Sequence, residues 1–136
     1  MGRAQALVRA QARSEPSVAP RGARRLPELF RKLELLRDTV RGVAADYEAL
    51  QAAGDSARLA SVGFALRVNN LKLSASELCV ELVSEAFHVC GMAAYKNDSP
   101  YALGRQLRDA QSALLMIGND RIRETNAALL LVHKGS

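Results

Sequence analysis

The sequence is poor in aromatic residues, and this limits how its core can be built. It contains no tryptophan, and Phe and Tyr together make up 4% of its 136 residues. Since 49% of the residues are nevertheless hydrophobic, the core must consist mainly of Leu, Val and Ala. Ala and Leu lose little conformational freedom in a helix, so this composition favours helices. The length suffices for one domain with one core.

Cysteine and histidine are also scarce, with two of each. Cys79 and Cys90 are 11 positions apart, so on one helix they would lie about 16 Å apart, too far for a disulfide. Neither they nor His88 and His133 have partners at metal-ligand spacing, and we predict no metal site. The sequence contains no signal-peptide pattern and no apolar run of membrane-span length. We therefore expect a cytoplasmic protein without a membrane partner.

The positive charge is unevenly distributed along the chain. The net charge is +5, from 19 basic and 14 acidic residues. Residues 1–28 hold six of the arginines and two glutamates, a net of +4, which leaves 13 basic and 12 acidic residues elsewhere. Because the remaining chain is nearly neutral, nucleic acid is an unlikely partner. If it does bind, the arginine-rich segment should mediate a strongly salt-dependent interaction.

Residues 1–28 are predicted to form a disordered arm rich in Arg and Ala. Three prolines and Gly22 interrupt the segment, and it carries no sustained apolar stripe. The stretch Met1–Arg13 could alternatively form an arginine-rich amphipathic helix. We favour the disordered arm as the interpretation of the whole segment.

Residues 29–136 are predicted to form an all-α antiparallel helical bundle. Apolar residues recur there every three or four positions, the spacing of one helix face, and short polar stretches separate four such segments. Connections this short favour antiparallel neighbours. The predicted helices begin near Pro27, at Asp55 or Ser56, near Tyr101 (capped by Ser99) and after a cap at Asn119 or Asp120; the first three end at Gly54, Gly91 and Met116.

Polar residues interrupt the stripe of the second predicted helix at Asn69, Asn70, Ser74 and Ser76. Such residues could contact a partner. Solvent exposure or hydrogen bonds to the preceding turn are commoner explanations, and we expect one of these.

The loop Gly118-Asn119-Asp120-Arg121 is the strongest candidate for a binding site. A helix amino terminus presents unpaired N–H groups and the positive end of the helix dipole, so it accepts anions such as phosphate. Arg121 and Arg123 would strengthen that preference. A simple helix cap is the alternative interpretation. The neighbouring charges of Arg105, Arg108 and Asp109 are typical of an ordinary solvated helix face.

The segment FHVCGMAAYKNDSPYALGRQLRDAQSALLMIGNDRI resembles the carboxyl-terminal helical domain of the acyl-CoA dehydrogenases. Members of that flavoprotein family carry a Gly-Gly-Tyr-Gly-like segment, a helix with Leu-x-Arg-Asp-Ala, and a Glu-Gly-Thr-like loop. The corresponding residues here are 90–95, 107–110 and 117–120, with a short insertion near residues 96–100. The resemblance extends over about residues 29–136.

The resemblance implies two segments that contact FAD. The segment at Gly91 would contact the FAD of a neighbouring subunit, and the loop at Gly118, Asn119, Asp120 and Arg121 would bind its adenosine side. The family's usual catalytic glutamate corresponds to Ile117, which cannot accept a proton. The resemblance therefore implies no catalytic residue in this chain.

Two functions remain open from the sequence. The first is the FAD-covering and oligomerisation part of an acyl-CoA dehydrogenase-like oxidoreductase, inactive alone. The intact enzyme would perform α,β-dehydrogenation of an acyl thioester. The alternative is a stand-alone helical module, lacking the first helix of the bundle, that self-associates or docks onto a full-length dehydrogenase subunit.

Overall fold

The computed structural model describes residues 1–116 and 118–133, and every regular element within those ranges is a helix. Four helices of 12 residues or more follow the N-terminal helix, joined by turns and short helices, and two long antiparallel helices form the centre. The helices are α1 (Gly2–Ser14), α2 (Leu26–Ala52), α3 (Ser56–Leu59), α4 (Val62–Cys90), α5 (Met92–Tyr95), α6 (Gly104–Leu115) and α7 (Asn119–Val132), with a 3₁₀ turn at Ala23–Arg25.

The prediction of a disordered arm at residues 1–28 is wrong, because α1 is part of the core. Ala4 and Val8 are buried on α1 with Leu29 of α2, which is fully inaccessible to solvent. The same cluster contains residues from the end of α4 and from the segment before α6. The buried face of α1 is narrow and built partly from alanine. It therefore leaves no long apolar stripe that the sequence pattern could reveal. The chain therefore contributes a packed N-terminal helix to the bundle.

The long helices α2 and α4 pair over most of their length. Arg25 binds Glu85 with a nitrogen–oxygen distance of 3.1 Å, and the Lys32–Glu81 distance is 2.8 Å. At the other end the rings of Tyr47 and Phe64 stack with centroids 6.4 Å apart. As the residue number rises on α2, its partner's number falls on α4, so the two helices are antiparallel as predicted.

The predicted second helix is divided in two. The Asp55 carboxylate accepts a hydrogen bond of 2.9 Å from the Arg58 N–H and caps α3. Ser61 then caps α4 by accepting a bond of 3.2 Å from the Phe64 N–H. Two helix-start signals six residues apart thus produce a short helical turn before the long helix begins.

The third and fourth helices lie close to their predicted positions. The Ser99 hydroxyl accepts a hydrogen bond of 3.1 Å from the Tyr101 N–H, but this bond closes a turn, and α6 begins only at Gly104. The prediction that Asn119 or Asp120 caps α7 is wrong, because the cap residue is Gly118. Within the described ranges, no helix is both long and apolar enough to cross a bilayer.

A groove remains between the second half of α2 and the first half of α4. Its volume is about 1170 Å³, and its walls include Val43 and Leu50 on α2, Leu66 and Leu71 on α4, and Leu130 and His133 at the end of α7. We call it the α2–α4 groove. The core residues of α1 pack instead with the beginning of α2 and the end of α4, so α1 does not cover the groove.

Candidate cofactor-binding surface

The corner between α6 and α7 contains most of the predicted site residues. The ammonium group of Lys72, on α4, donates a hydrogen bond of 3.0 Å to the Ala113 carbonyl of α6. It also donates to the side-chain oxygen of Asn119, the first residue of α7. One side chain of the central helix thus ties together the end of α6 and the start of α7. Ile117, predicted at the family's glutamate position, lies outside the described residues.

The side chain of Asn119 points inward and is fully engaged. Besides accepting from Lys72, its amide donates a bond of 3.1 Å to the Ser76 hydroxyl, which itself donates 3.0 Å to the Leu73 carbonyl. Asn119 and Ser76 are both buried. Because these contacts use both ends of the amide, Asn119 can offer an outside ligand only its backbone N–H.

The outward side of the corner carries the other predicted residues. The Asp120 carboxylate binds Arg123 at 2.9 Å, and Arg123 also binds Glu77 of α4 at 2.5 Å. Arg121 is exposed and forms no ion pair with the part of the chain that the structure describes. No side chain within residues 1–116 and 118–133 caps α7. The first turn of α7 can therefore present backbone N–H groups beside a free guanidinium, an arrangement suited to an anion.

Gly91 ends α4 in a conformation that side chains rarely adopt, with φ 55° and ψ −137°. Its N–H donates a bond of 2.7 Å to the Phe87 carbonyl. A Cβ atom added there would have no described atom within 4 Å, so the backbone is open to an outside group. Met92 and Tyr95 are highly exposed on the adjoining α5.

The two predicted cofactor segments lie far apart within one chain. Asn119 contacts Ser76, and Gly91 is 15 residues further along the same helix. At 1.5 Å per residue this separation is about 22 Å. The structure therefore does not bring Gly91 together with Gly118–Arg121 into one compact site.

The sequence analysis missed a polar seam between α4 and α7. The Asn69 amide donates 2.8 Å to the Asn126 side-chain oxygen, and the Asn126 amide donates 3.0 Å to Asn70. Asn126 is 8% exposed. The expectation of solvent exposure holds for Asn70, which is exposed but also bonds to Asn126, and it is wrong for Asn69, which is half-buried and bonds across to α7. Ser76 bonds both locally and to Asn119. The available signal was spacing, since Asn119 and Asn126 are seven positions apart and so share a helix face.

The two thiols, the Arg105–Asp109 pair and the potential metal ligands do not form a second site. Cys79 and Cys90 are free thiols on α4, and burial raises the pKa of each. A raised pKa keeps a thiol protonated and weakly nucleophilic. Arg105 and Asp109 are 3.8 Å apart and highly exposed, an ordinary surface pair. No cluster of three potential metal ligands occurs among residues 1–116 and 118–133.

Comparison with known families identifies the domain. The model of the acyl-CoA dehydrogenase C-terminal domain matches residues 3–129, and the chain belongs to that family. The match includes α1 and therefore extends further towards the N-terminus than the resemblance predicted from the sequence, which began at about residue 29. This agrees with the packing of α1 in the core. No curated protein and no solved structure matches the chain significantly.

Proposed function

We propose that this acyl-CoA dehydrogenase C-terminal domain serves as the FAD-covering and oligomerisation part of a flavoprotein and is catalytically inactive alone. The observation that carries the proposal is the α6–α7 corner. Asn119 is turned inward, while the first turn of α7 and the Arg121 guanidinium remain accessible on the outside. This combination of backbone N–H groups and a cation suits the phosphates on the adenosine side of FAD.

The separation of the two segments supports an FAD site that is shared between two chains. A chain that offers Gly91 and the α7 amino terminus about 22 Å apart can give each segment to a different FAD molecule in an oligomer. The open backbone at Gly91 would allow close approach by the cofactor of a neighbouring subunit. Each site would then be completed only when two chains meet.

The residues at position 117 and on α1 support the proposal that this chain is catalytically inactive by itself. Ile117 is a hydrocarbon at the position that resembles the family's glutamate, and α1, with the sequence GRAQALVRAQARS, contains no carboxylate or imidazole. Bound FAD would accept the hydride in an α,β-dehydrogenation. The α-proton of an acyl thioester would still need a base from elsewhere. In the parent enzyme this chain would therefore bind and cover the cofactor.

The α2–α4 groove favours the second function, a helical interaction module. Its walls combine apolar residues such as Val43 and Leu66 with charged ones such as Arg58, and an open groove with apolar walls and a polar rim is typical of an interaction site. Such a module would act by self-association or by docking onto a full-length dehydrogenase subunit, and it would need no cofactor.

Flavin titration distinguishes the two functions. At protein concentrations where the chain self-associates, we expect the fluorescence anisotropy of FAD to rise saturably and ADP to compete with it. Riboflavin, which lacks the phosphates and adenosine, should bind far more weakly. Arg121→Glu should weaken FAD binding several-fold because it reverses the charge beside the α7 amino terminus. Arg105→Glu, an equally exposed change on α6, is the matched control.

Two results would reject the cofactor role. One is the absence of saturable FAD and ADP binding by an oligomeric, folded chain. The other is an equal loss of binding in the Arg121 and Arg105 variants, which would indicate attraction by general surface charge.

A further inference from the structure

The segment formed by α1 and its connection to α2 carries the excess positive charge of the chain. Residues 1–25 contain six arginines, no lysine and one glutamate, which leaves 13 basic and 13 acidic residues elsewhere. Every ion pair within the described ranges uses a basic residue at position 25 or later. Four earlier arginines are exposed without such a partner, and we call them the α1 arginine surface: Arg9, Arg13, Arg21 and Arg24.

Arg9 and Arg13 share the outer face of α1. They are four positions apart, the spacing of neighbours on one helix face. The opposite face contains Ala4 and Val8, which are buried in the core cluster. Burial of that face fixes the rotation of α1 about its axis, so both guanidinium groups are held towards solvent. Charges held on a folded helix lose less conformational freedom on binding than charges on a flexible arm.

The connection between α1 and α2 extends this surface. Arg21 lines a small cavity with Gln11 of α1, so it lies against the end of that helix. Arg24 follows in the next turn, within the 3₁₀ segment. Between the two arginines, Gly22 packs so closely on α4 that a Cβ atom added there would lie 2.7 Å from the Val89 carbonyl oxygen. The connection is therefore packed onto the protein and keeps its arginines at the same end of the molecule.

The α1 arginine surface has charge but no apolar centre. Gly2 and Ala6 are the small residues that share the outer face of α1, and residues 1–25 contain no aromatic side chain. Their one highly exposed large hydrophobic residue is Val18. Protein partners are normally held by aromatic or aliphatic anchors in a desolvated centre, and membranes by several inserted apolar side chains. A phosphate backbone needs only cations, and the arginine fork binds phosphate oxygens in pairs.

We propose that the α1 arginine surface binds the phosphate backbone of double-stranded nucleic acid without reading its sequence. Arginines are the only side chains longer than alanine at the centre of the outer face of α1, so the contacts are backbone contacts, which position a protein but carry no sequence information. The sequence alone gave little support to this partner, because residues 29–136 are nearly neutral. On a folded surface the same balance leaves the rest of the molecule without strong attraction or repulsion for the phosphates.

Fluorescence anisotropy of a labelled DNA duplex of random sequence, titrated with the full chain, tests the surface. If each of the four arginines neutralises one phosphate, log Kd should rise with log salt concentration at a slope of about 3.6 between about 50 and 200 mM salt. The double variant Arg9→Gln/Arg13→Gln removes two contacts. Its slope should fall to about 1.8, and its binding at about 50 mM salt should be at least about tenfold weaker.

Arg41→Gln/Arg58→Gln is the matched control. Both arginines are exposed, and neither forms an ion pair with the part of the chain that the structure describes. Arg41 is 12 residues beyond Leu29 on α2, about 18 Å from the core contact with α1, and Arg58 lies on α3, beyond the far end of α2. The charge change is the same, yet the slope should stay as in the wild type. Circular dichroism should show unchanged helix content in both double variants, since glutamine is a good helix former.

Three results would overturn the inference. One is the absence of saturable duplex binding by the folded wild-type chain at about 100 µM protein and about 50 mM salt, where even non-specific binding is measurable. Another is an equal loss of binding in the two double variants, which would indicate general surface charge. The third is tighter binding to phosphatidylserine vesicles or to polyglutamate than to the duplex, which would assign the surface to a membrane or to an acidic protein.

Excess FAD separates this inference from the proposed function. The α1 arginine surface contains none of the residues of the α6–α7 corner, so FAD should leave the duplex bound. Displacement by FAD would place the duplex on the cofactor surface and would also overturn the inference. A chain that binds the duplex through Arg9 and Arg13 but does not bind FAD rejects the cofactor role alone.

Discussion

The burial of α1 leads to a prediction that separates a core helix from a disordered arm. Val8 is 7% exposed in the cluster that contains Leu29. Val8→Asp removes a buried side chain worth about 1.5 kcal/mol and places a carboxyl group in an apolar site at a cost of about 1–3 kcal/mol. The expected loss of unfolding free energy is therefore about 2.5–4.5 kcal/mol, a large share of the stability of a domain this size.

Ala6→Asp is the matched control on the same helix. It adds the same charge, but Ala6 is exposed. Its cost should be limited to helix propensity, about 0.7 kcal/mol or less. Urea unfolding followed by circular dichroism measures both losses, and the melting temperature of the Val8 variant should fall by about 10 °C or more. Equal, small losses in the two variants would show that α1 does not pack in the core.

A double-mutant cycle makes the same test more specific. Leu29→Ala should cost about 2–5 kcal/mol, because Leu29 is fully buried and its removal leaves a cavity. If α1 and α2 share one cluster, Val8→Ala and Leu29→Ala should be non-additive by about 0.5 kcal/mol or more. Strict additivity would place the two residues in separate environments and contradict the packing of α1 against α2.

Three further predictions concern α4 and its partners. Asn126→Ala should cost about 1–3 kcal/mol in urea unfolding, because it leaves the half-buried amide of Asn69 without its acceptor, whereas the exposed Asn70 can bond to water instead. Gly91→Ala should cost about 1–3 kcal/mol through backbone strain alone, whereas Gly42→Ala, inside α2, should stabilise the chain; equal effects would contradict the strained geometry. Cys79 and Cys90 should react with a disulfide reagent at pH 8 much more slowly in the native than in the denatured chain. Their raised pKa values also mean that stability falls as pH rises above the ordinary thiol range, since the unfolded chain loses those protons first; fast native labelling would contradict the burial.

The clear helices were predictable because their apolar spacing is long and uninterrupted. The α2 prediction from Pro27 to Gly54 corresponds to Leu26–Ala52 in the structure. The helix ends at Gly91 and near Gly118 were also predictable, since glycine is the usual residue at such boundaries. Apolar spacing and helix-end glycines involve residues close together along the chain, so a single sequence is enough to recognise them.

The helix at Met1–Arg13 was predicted only as the alternative to a disordered arm, and it corresponds to α1 in the structure; its packing in the core depends on distant residues. Ala4 is small and Val8 is a weak helix former, and neither marks a core position on its own. They become core residues because Leu29 and the end of α4 lie opposite them. Prolines at positions 16 and 20 follow α1 and form the connection to α2, so they say nothing about the helix before them.

The candidate site was predictable in position but not in orientation. The sequence placed Asn119, Asp120 and Arg121 together at a helix start, and they are there. It could not show that Asn119 turns inward to Lys72 and Ser76, 47 and 43 residues earlier. Only Arg121, of the three predicted side chains, therefore remains both exposed and without an ion pair within the described ranges.

The seam between α4 and α7 explains why the last turn of α7 can be apolar on its outer side. Asn119 and Asn126 both find amide or hydroxyl partners on α4, and each partner is available at one register only. Sliding α7 by a turn would leave both buried amides unpaired, at about 1–3 kcal/mol each, so hydrogen bonding positions α7 without a large apolar contact. Leu131 and Val132 are consequently not needed against α4 and remain exposed. A helix positioned by polar contacts on its inner face can thus keep exposed apolar residues in its last turn.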